Sequence, residues 1–292
     1  MKYNANRWGS VVVSLILFFL VFYTLVIMGH FLYAGLLENW VSSISAESEE
    51  SLNQTLVSYV FVWLAGFGAT GALLMIERRG WLDLGLGLKS RGKDMIYGAL
   101  TAIIFYLVGF GGSYAFGWIE ITGVEWQWYD LWVTFLMFVL VALTEEVMFR
   151  GYLLSRLLNS GVQRFVALFV TSILFALMHL SNPSIAWLPM VNLVIAGLML
   201  GVVCLYTHNL WYSISLHLFW NWIQGPVLGY EVSGNSLSHS LVQLQLPDHS
   251  VWNGGAFGFE GSLTCTLLMV LFIGGAIWWG EKRKGVQPFL SH

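Results

Sequence analysis

The stretch TEEVMFRGYL, residues 144–153, brings three ionisable side chains into an apolar chain, with Glu145, Glu146 and Arg150 following Leu140, Val141, Ala142 and Leu143. On a helix, Glu146 and Arg150 stand four apart with the acid N-terminal, the favourable order for an ion pair. Such a pair can fix its own helix or clamp two helices together, and Arg150, toward the end of its apolar run, can snorkel to water. Glu145 lies about 100° around the helix from Glu146 and has no cation of its own. A carboxylate in that setting suits a general base, or it faces a wet crevice near the helix end.

Two further polar pairs recur at helical spacing. FALMH sets Phe175 and His179 four apart, and HLFWN does the same for His217 and Asn221. Each pair therefore projects from one helix face. His179 alone can be a hydrogen-bonded core histidine, and His217 with Asn221 can be an interhelical polar clamp. Taken together with Glu145, the groups supply what amide hydrolysis requires. Glu145 accepts a proton from water, His179 orients that water or donates to the leaving amine, and His217 with Asn221 stabilises the oxyanion. No GxSxG stretch is present, and no serine or cysteine stands out as a nucleophile. A metal reading stays open, with Glu145, His179 and His217 giving one oxygen and two nitrogens to a divalent ion such as Zn²⁺. The HExxH pattern of many zinc hydrolases is absent, so water activation without a tightly held metal is preferred.

These groups need a scaffold, and composition says which kind. The chain has 292 residues, 57% hydrophobic and only 10% charged, against about 25% charge in a soluble domain. This is the profile of an integral membrane protein. A net charge of −3 offers no basic field for nucleic acid. Cys204 and Cys265 both sit in apolar runs and read as buried thiols. Apolar runs long enough for a helical crossing fall at about 11–36, 57–76, 95–118, 129–148, 165–180, 186–206, 210–229 and 262–280. The expectation is an all-α polytopic membrane protein of about eight transmembrane helices, one transmembrane domain over residues 1–292. The first run, which has no convincing cleavage site after it, reads as an uncleaved span.

The loops orient the bundle. With the N-terminus in the cytoplasm, all 13 basic residues fall at or toward the cytoplasmic side, from Lys2 and Arg7 through Arg78–Lys93, Arg150, Arg156 and Arg164 to Lys282, Arg283 and Lys284. The opposite loops carry Glu38, Glu47, Glu49, Glu50, Glu120, Glu125, Glu231, Asp248 and Glu260 and no Lys or Arg. The positive-inside bias favours this arrangement, with both chain termini cytoplasmic, in what is expected to be a bacterial cell membrane. Residues 78–92 read as an interfacial segment. Residues 230–261, rich in Gly, Ser, Asn and His, read as a floppy connector, with a partly ordered lid as the alternative. GLMLG, with Gly197 and Gly201, marks a close-packing face within the bundle. The tryptophans at span ends read as interface anchors. His30, His208, His239, His249 and His292 read as interfacial or solvent-exposed.

The ordered set EEVMFR, FALMH, HLFWN resembles the CPBP family of intramembrane proteases, also called the Abi or type II CAAX prenyl endopeptidase family. That family carries EExxxR, FxxxH and HxxxN or HxxxD on successive helices. The resemblance covers about 129–225 by motif and about 80–280 by span layout. It implies a CAAX-protease-like bundle with Glu145 as water activator, His179 as its partner, and His217 and Asn221 as oxyanion stabilisers. Glu146 and Arg150 become a structural pair, with Phe175 beside the site. Family members are described both with and without a metal. Eukaryotic members trim prenylated proteins, and bacterial ones are linked to peptide maturation, bacteriocin processing or immunity, and secretion. The implied partner is a membrane-associated or lipidated peptide or protein in the bilayer. A proton-coupled transporter component and a catalytically silent scaffold are the competing readings. The transporter lacks a second half with matching broken helices.

Depth sets a further condition. A straight helix entering at Phe165 would carry His179 about 20 Å from its start, toward the face opposite Glu145 and His217. For the site to assemble, that helix must begin below the hydrocarbon, tilt strongly, or stop short.

Overall fold

The computed structural model describes residues 5–46, 49–237 and 239–283. Lys2, Glu47, Lys284 and His292 lie outside the described residues. The architecture is all-α, with one small two-stranded sheet outside the bundle. Helix α1 (Ala5–Leu32) runs through a π turn, Tyr33–Leu37, into α2 (Glu38–Ile44), and α3 (Glu50–Glu77) returns beside it. Then come α4 (Gly92–Ala115), α5 (Trp128–Glu146), a π-helical stretch Val147–Leu154, and α6 (Ser155–Asn159). The remainder comprises α7 (Arg164–Leu177), α8 (Trp187–Thr207), α9 (Trp211–Trp222) with a π turn Ile223–Val227, and α10 (Leu263–Arg283).

Six helical stretches among the described residues are long and apolar enough to cross a membrane: Gly9–Ile44, Ser51–Glu77, Gly92–Ala115, Trp128–Asn159, Trp187–Thr207 and Leu263–Arg283. The chain is therefore an integral membrane protein. Two of the eight expected crossings are shorter elements. The run at 165–180 yields α7 with 14 residues, and the run at 210–229 yields α9 with 12 plus its π turn. At about 1.5 Å per residue, α7 reaches roughly 21 Å, short of a hydrocarbon core of about 30 Å. It starts where the Gln163 side chain accepts a hydrogen bond from the Val166 amide at 2.9 Å, a helix N-cap. It ends ahead of the Asn182-Pro183 break. The fourth run errs the other way, its helix continuing past residue 148 to Asn159.

Glycines set the closest approaches. A Cβ on Gly197 would lie 2.8 Å from Ser172 Cα, and one on Gly201 would meet Leu168 Cδ1. The GLMLG face is thus spent inside the bundle, bringing α8 against α7. Cys204 and Cys265 are free and buried.

Contacts along the chain separate two ends. Arg156 pairs with Glu77 at 2.8 Å and reaches Ser10 of α1, Arg164 pairs with Glu281, and Asn209 binds Asp94. This basic end also holds residues 78–92, where Leu84 is buried and Trp81 stacks on Phe67. The acidic end is built by β1 (Glu120–Val124) paired antiparallel with β2 (Val242–Gln245). Here the floppy-connector expectation for 230–261 fails. The segment forms β2 and two 3₁₀ turns, Gly255–Phe257 and Phe259–Gly261, and buries Phe257 and Phe259. Gly258, at φ +91°, makes one of these turns possible, since a Cβ there would strike the Glu231 carbonyl oxygen.

Candidate active site

Glu146 organises the site. Its side chain is fully buried, and Oε1 accepts hydrogen bonds from Arg150 Nη1 at 2.7 Å and His217 Nδ1 at 2.8 Å. The EExxxR helix is therefore joined to the HxxxN helix through the acid expected to serve only Arg150. Arg150 is 3% exposed and does not snorkel. Its Nη2 donates to the Gly197 carbonyl at 3.1 Å, and its guanidinium lies 4.7 Å from the centre of the Phe175 ring. Phe175 also meets Phe149 edge-on and sits against His179, 4.8 Å between ring centres. A phenyl face under a cation gains electrostatic attraction, which gives FxxxH a physical link to EExxxR.

Glu145 faces the other way, into a cavity of about 430 Å³ that His179, His217 and Asn221 also line. Its Oε2 lies 3.8 Å from His217 Nε2 and is buried with no hydrogen-bond partner among the described residues. His179 sits in the turn after α7, not on the helix, with Nδ1 2.9 Å from the Phe175 carbonyl oxygen. Past the end of α7 at Leu177, His179 turns back onto Phe175, which brings it to the cavity wall it shares with Glu145. A carboxylate and a carbonyl only accept, so Nδ1 is the donor in both histidines and each neutral ring presents Nε2 as an acceptor.

The cavity's walls show which way it faces. From Glu145 it is bounded by Met137, Phe138 and Val141 on α5, by Thr55 and Tyr59 near the start of α3, and by Val232, Ser233, Asn235, Ser236 and Leu237. Exposed Asn235 and Ser236 form the rim. On the opposite side of Glu145, every residue of Val147–Leu154 is buried. The π-helical stretch fills the volume toward the basic end, and the space lies toward the acidic end.

Residues 125–223 match the family model described as Type II CAAX prenyl endopeptidase Rce1-like. No curated protein and no solved structure matches the chain. The matched segment contains all three motifs and runs from the start of α5 through α9. A likeness to a protease family and a membrane-spanning helical fold thus stand together.

Sequence reasoning missed one acid in the cavity wall. Glu260 Oε1 accepts from Trp220 Nε1 at 2.9 Å, and Oε2 from the Ser233 amide at 3.0 Å and the Ser233 hydroxyl at 2.6 Å. Its backbone oxygen accepts from Asn192 Nδ2 at 2.6 Å. The one available signal is an acid set among glycines and phenylalanines in GGAFGFEG. The residues do not fit a ready metal site. Among the described residues no three His, Cys, Asp or Glu side chains converge to hold an ion.

Proposed function

We propose that the protein is an intramembrane endopeptidase that hydrolyses a peptide bond in a membrane-associated or lipidated substrate with water activated by Glu145. The observation that carries this reading is the double use of Glu146 Oε1, which fixes His217 so that Nε2 stands 3.8 Å from Glu145 Oε2. One water can hydrogen-bond to both atoms across that gap. Glu145 takes a proton from it as the oxygen attacks the carbonyl carbon. His217, protonated at both nitrogens before the attack, donates to the resulting oxyanion from Nε2, the oxyanion offsetting the ring's charge, and the Asn221 amide is the second donor. Collapse of the intermediate breaks the C–N bond, and the amine leaves with the proton held by Glu145 or relayed by His179.

The test is cleavage of a panel of fluorogenic peptides, lipidated and unlipidated, by the detergent-purified chain. Glu145→Gln should lower turnover about 10²–10⁴-fold, the usual share of a general base, while thermal unfolding stays unchanged. Undiminished cleavage by that variant would remove Glu145 from the mechanism.

A further inference from the structure

The direction of the cavity carries an inference about how substrate arrives. Basic loop residues such as Arg79, Lys89, Lys93, Arg156, Arg164 and Lys282 gather at one end of the bundle, while the loops at the other end hold acids and no Lys or Arg. Short loops rich in Lys and Arg stay cytoplasmic, so the acidic end faces outward. The cavity opens there. Its rim is Asn235 and Ser236, and Thr55, near the outer start of α3, lies in its wall. Toward the basic end, Glu145 is shut off by Val147–Leu154, all buried, and by the Glu77–Arg156 pair beyond them.

We propose that the substrate is a peptide segment presented from the non-cytoplasmic side of the membrane, entering beneath residues 232–237 and running between α3 and α5 to Glu145. The chemistry of the path fits an extended chain. Met137, Phe138 and Val141 form an apolar shelf for a side chain, while Asn182 and Asn235 add carboxamides to the lining. The roof is fixed at its edges, because Asn182 Nδ2 donates to the Ser233 carbonyl at 3.0 Å and Ser233 is bound to Glu260. Cleavage itself rests on the protease reading above; the route does not.

The two can be tested apart. Ser236→Cys and Lys89→Cys, each in the full chain, place a thiol on the rim and at the basic end. Native Cys204 and Cys265 are 1% and 0% exposed and contribute little background. Intact cells are treated with a membrane-impermeant sulfonated maleimide before and after permeabilisation. Ser236→Cys should label fully in intact cells and Lys89→Cys only after permeabilisation, and the labelled Ser236→Cys protein should lose peptide cleavage. Asn235→Cys repeats the measurement should the first variant express poorly. Labelling of both rim variants only after permeabilisation would overturn the outward route and leave Glu145-dependent cleavage untouched. Outward labelling by a chain that cleaves no peptide would instead sink the protease reading and leave the route in place.

Discussion

At the scale of residues, the site turns on a buried carboxylate that is not expected to touch substrate. Glu146 carries two partners on one oxygen, so its loss strands both a buried guanidinium and an unheld imidazole. Removing one partner of a buried ion pair costs about 3–5 kcal/mol. Glu146→Gln and Arg150→Met should each lower the free energy of unfolding by that order, read as a fall in the thermal midpoint. The double variant Glu146→Leu/Arg150→Met should recover much of the stability, since replacing both charges with apolar groups is often near neutral. Cleavage should stay lost, because His217 keeps no anchor. Recovered activity in the double variant would reduce Glu146 to a structural role. The Glu146–Arg150 half of this arrangement was legible, because four-residue spacing on a helix implies contact. The Glu146–His217 half was not, because a contact 71 residues away in sequence leaves no spacing to read.

At the scale of elements, departures from regular helix put the groups in place. The π-helical stretch begins directly after Glu146, and π bulges recur at functional sites because they re-aim side chains along an otherwise continuous helix. The end of α7 at Leu177 frees His179 to turn back toward Phe175. Periodicity located these helices but could not show where they loosen or stop. The roof was hidden for another reason. Gly, Ser and Asn allow a loop but do not order one, and its order here comes from Glu260 reaching Ser233 and Trp220. Hydrogen bonds to a charged group contribute about 1.5–3 kcal/mol each. Glu260→Ala should therefore speed amide hydrogen exchange at Ser233 by about an order of magnitude or more per bond lost, with exchange in α5 unchanged. An unaltered rate at Ser233 would mean that Trp220 and the 3₁₀ turns hold the roof without the acid.

At the scale of the whole molecule, one helix of the bundle, the 14-residue α7, is shorter than a membrane is thick. Hydropathy made the membrane location plain, but residues 165–230 contain no Asp, Glu, Lys or Arg, so a window of apolarity could not distinguish full crossings from partial ones. The 14-residue α7 leaves its link to α8, residues 178–186, to make up the rest of a core about 30 Å thick. Exposed Leu180 lies within that link and exposed Trp187 directly follows it. Lipid beside it must thin or admit water, and either response costs a fraction of a kcal/mol per Å of mismatch. Such thinning would bring solvent near His179 and the cavity rim, where the proposed hydrolysis needs it. In phosphatidylcholine vesicles of increasing acyl length, the unfolding midpoint should fall steadily, and hydrogen exchange at 178–186 should rise before any change in α3 or α5. Were the midpoint indifferent to lipid length, the link would be sheltered by protein, and water would have to reach Glu145 through the roof at 232–237 alone.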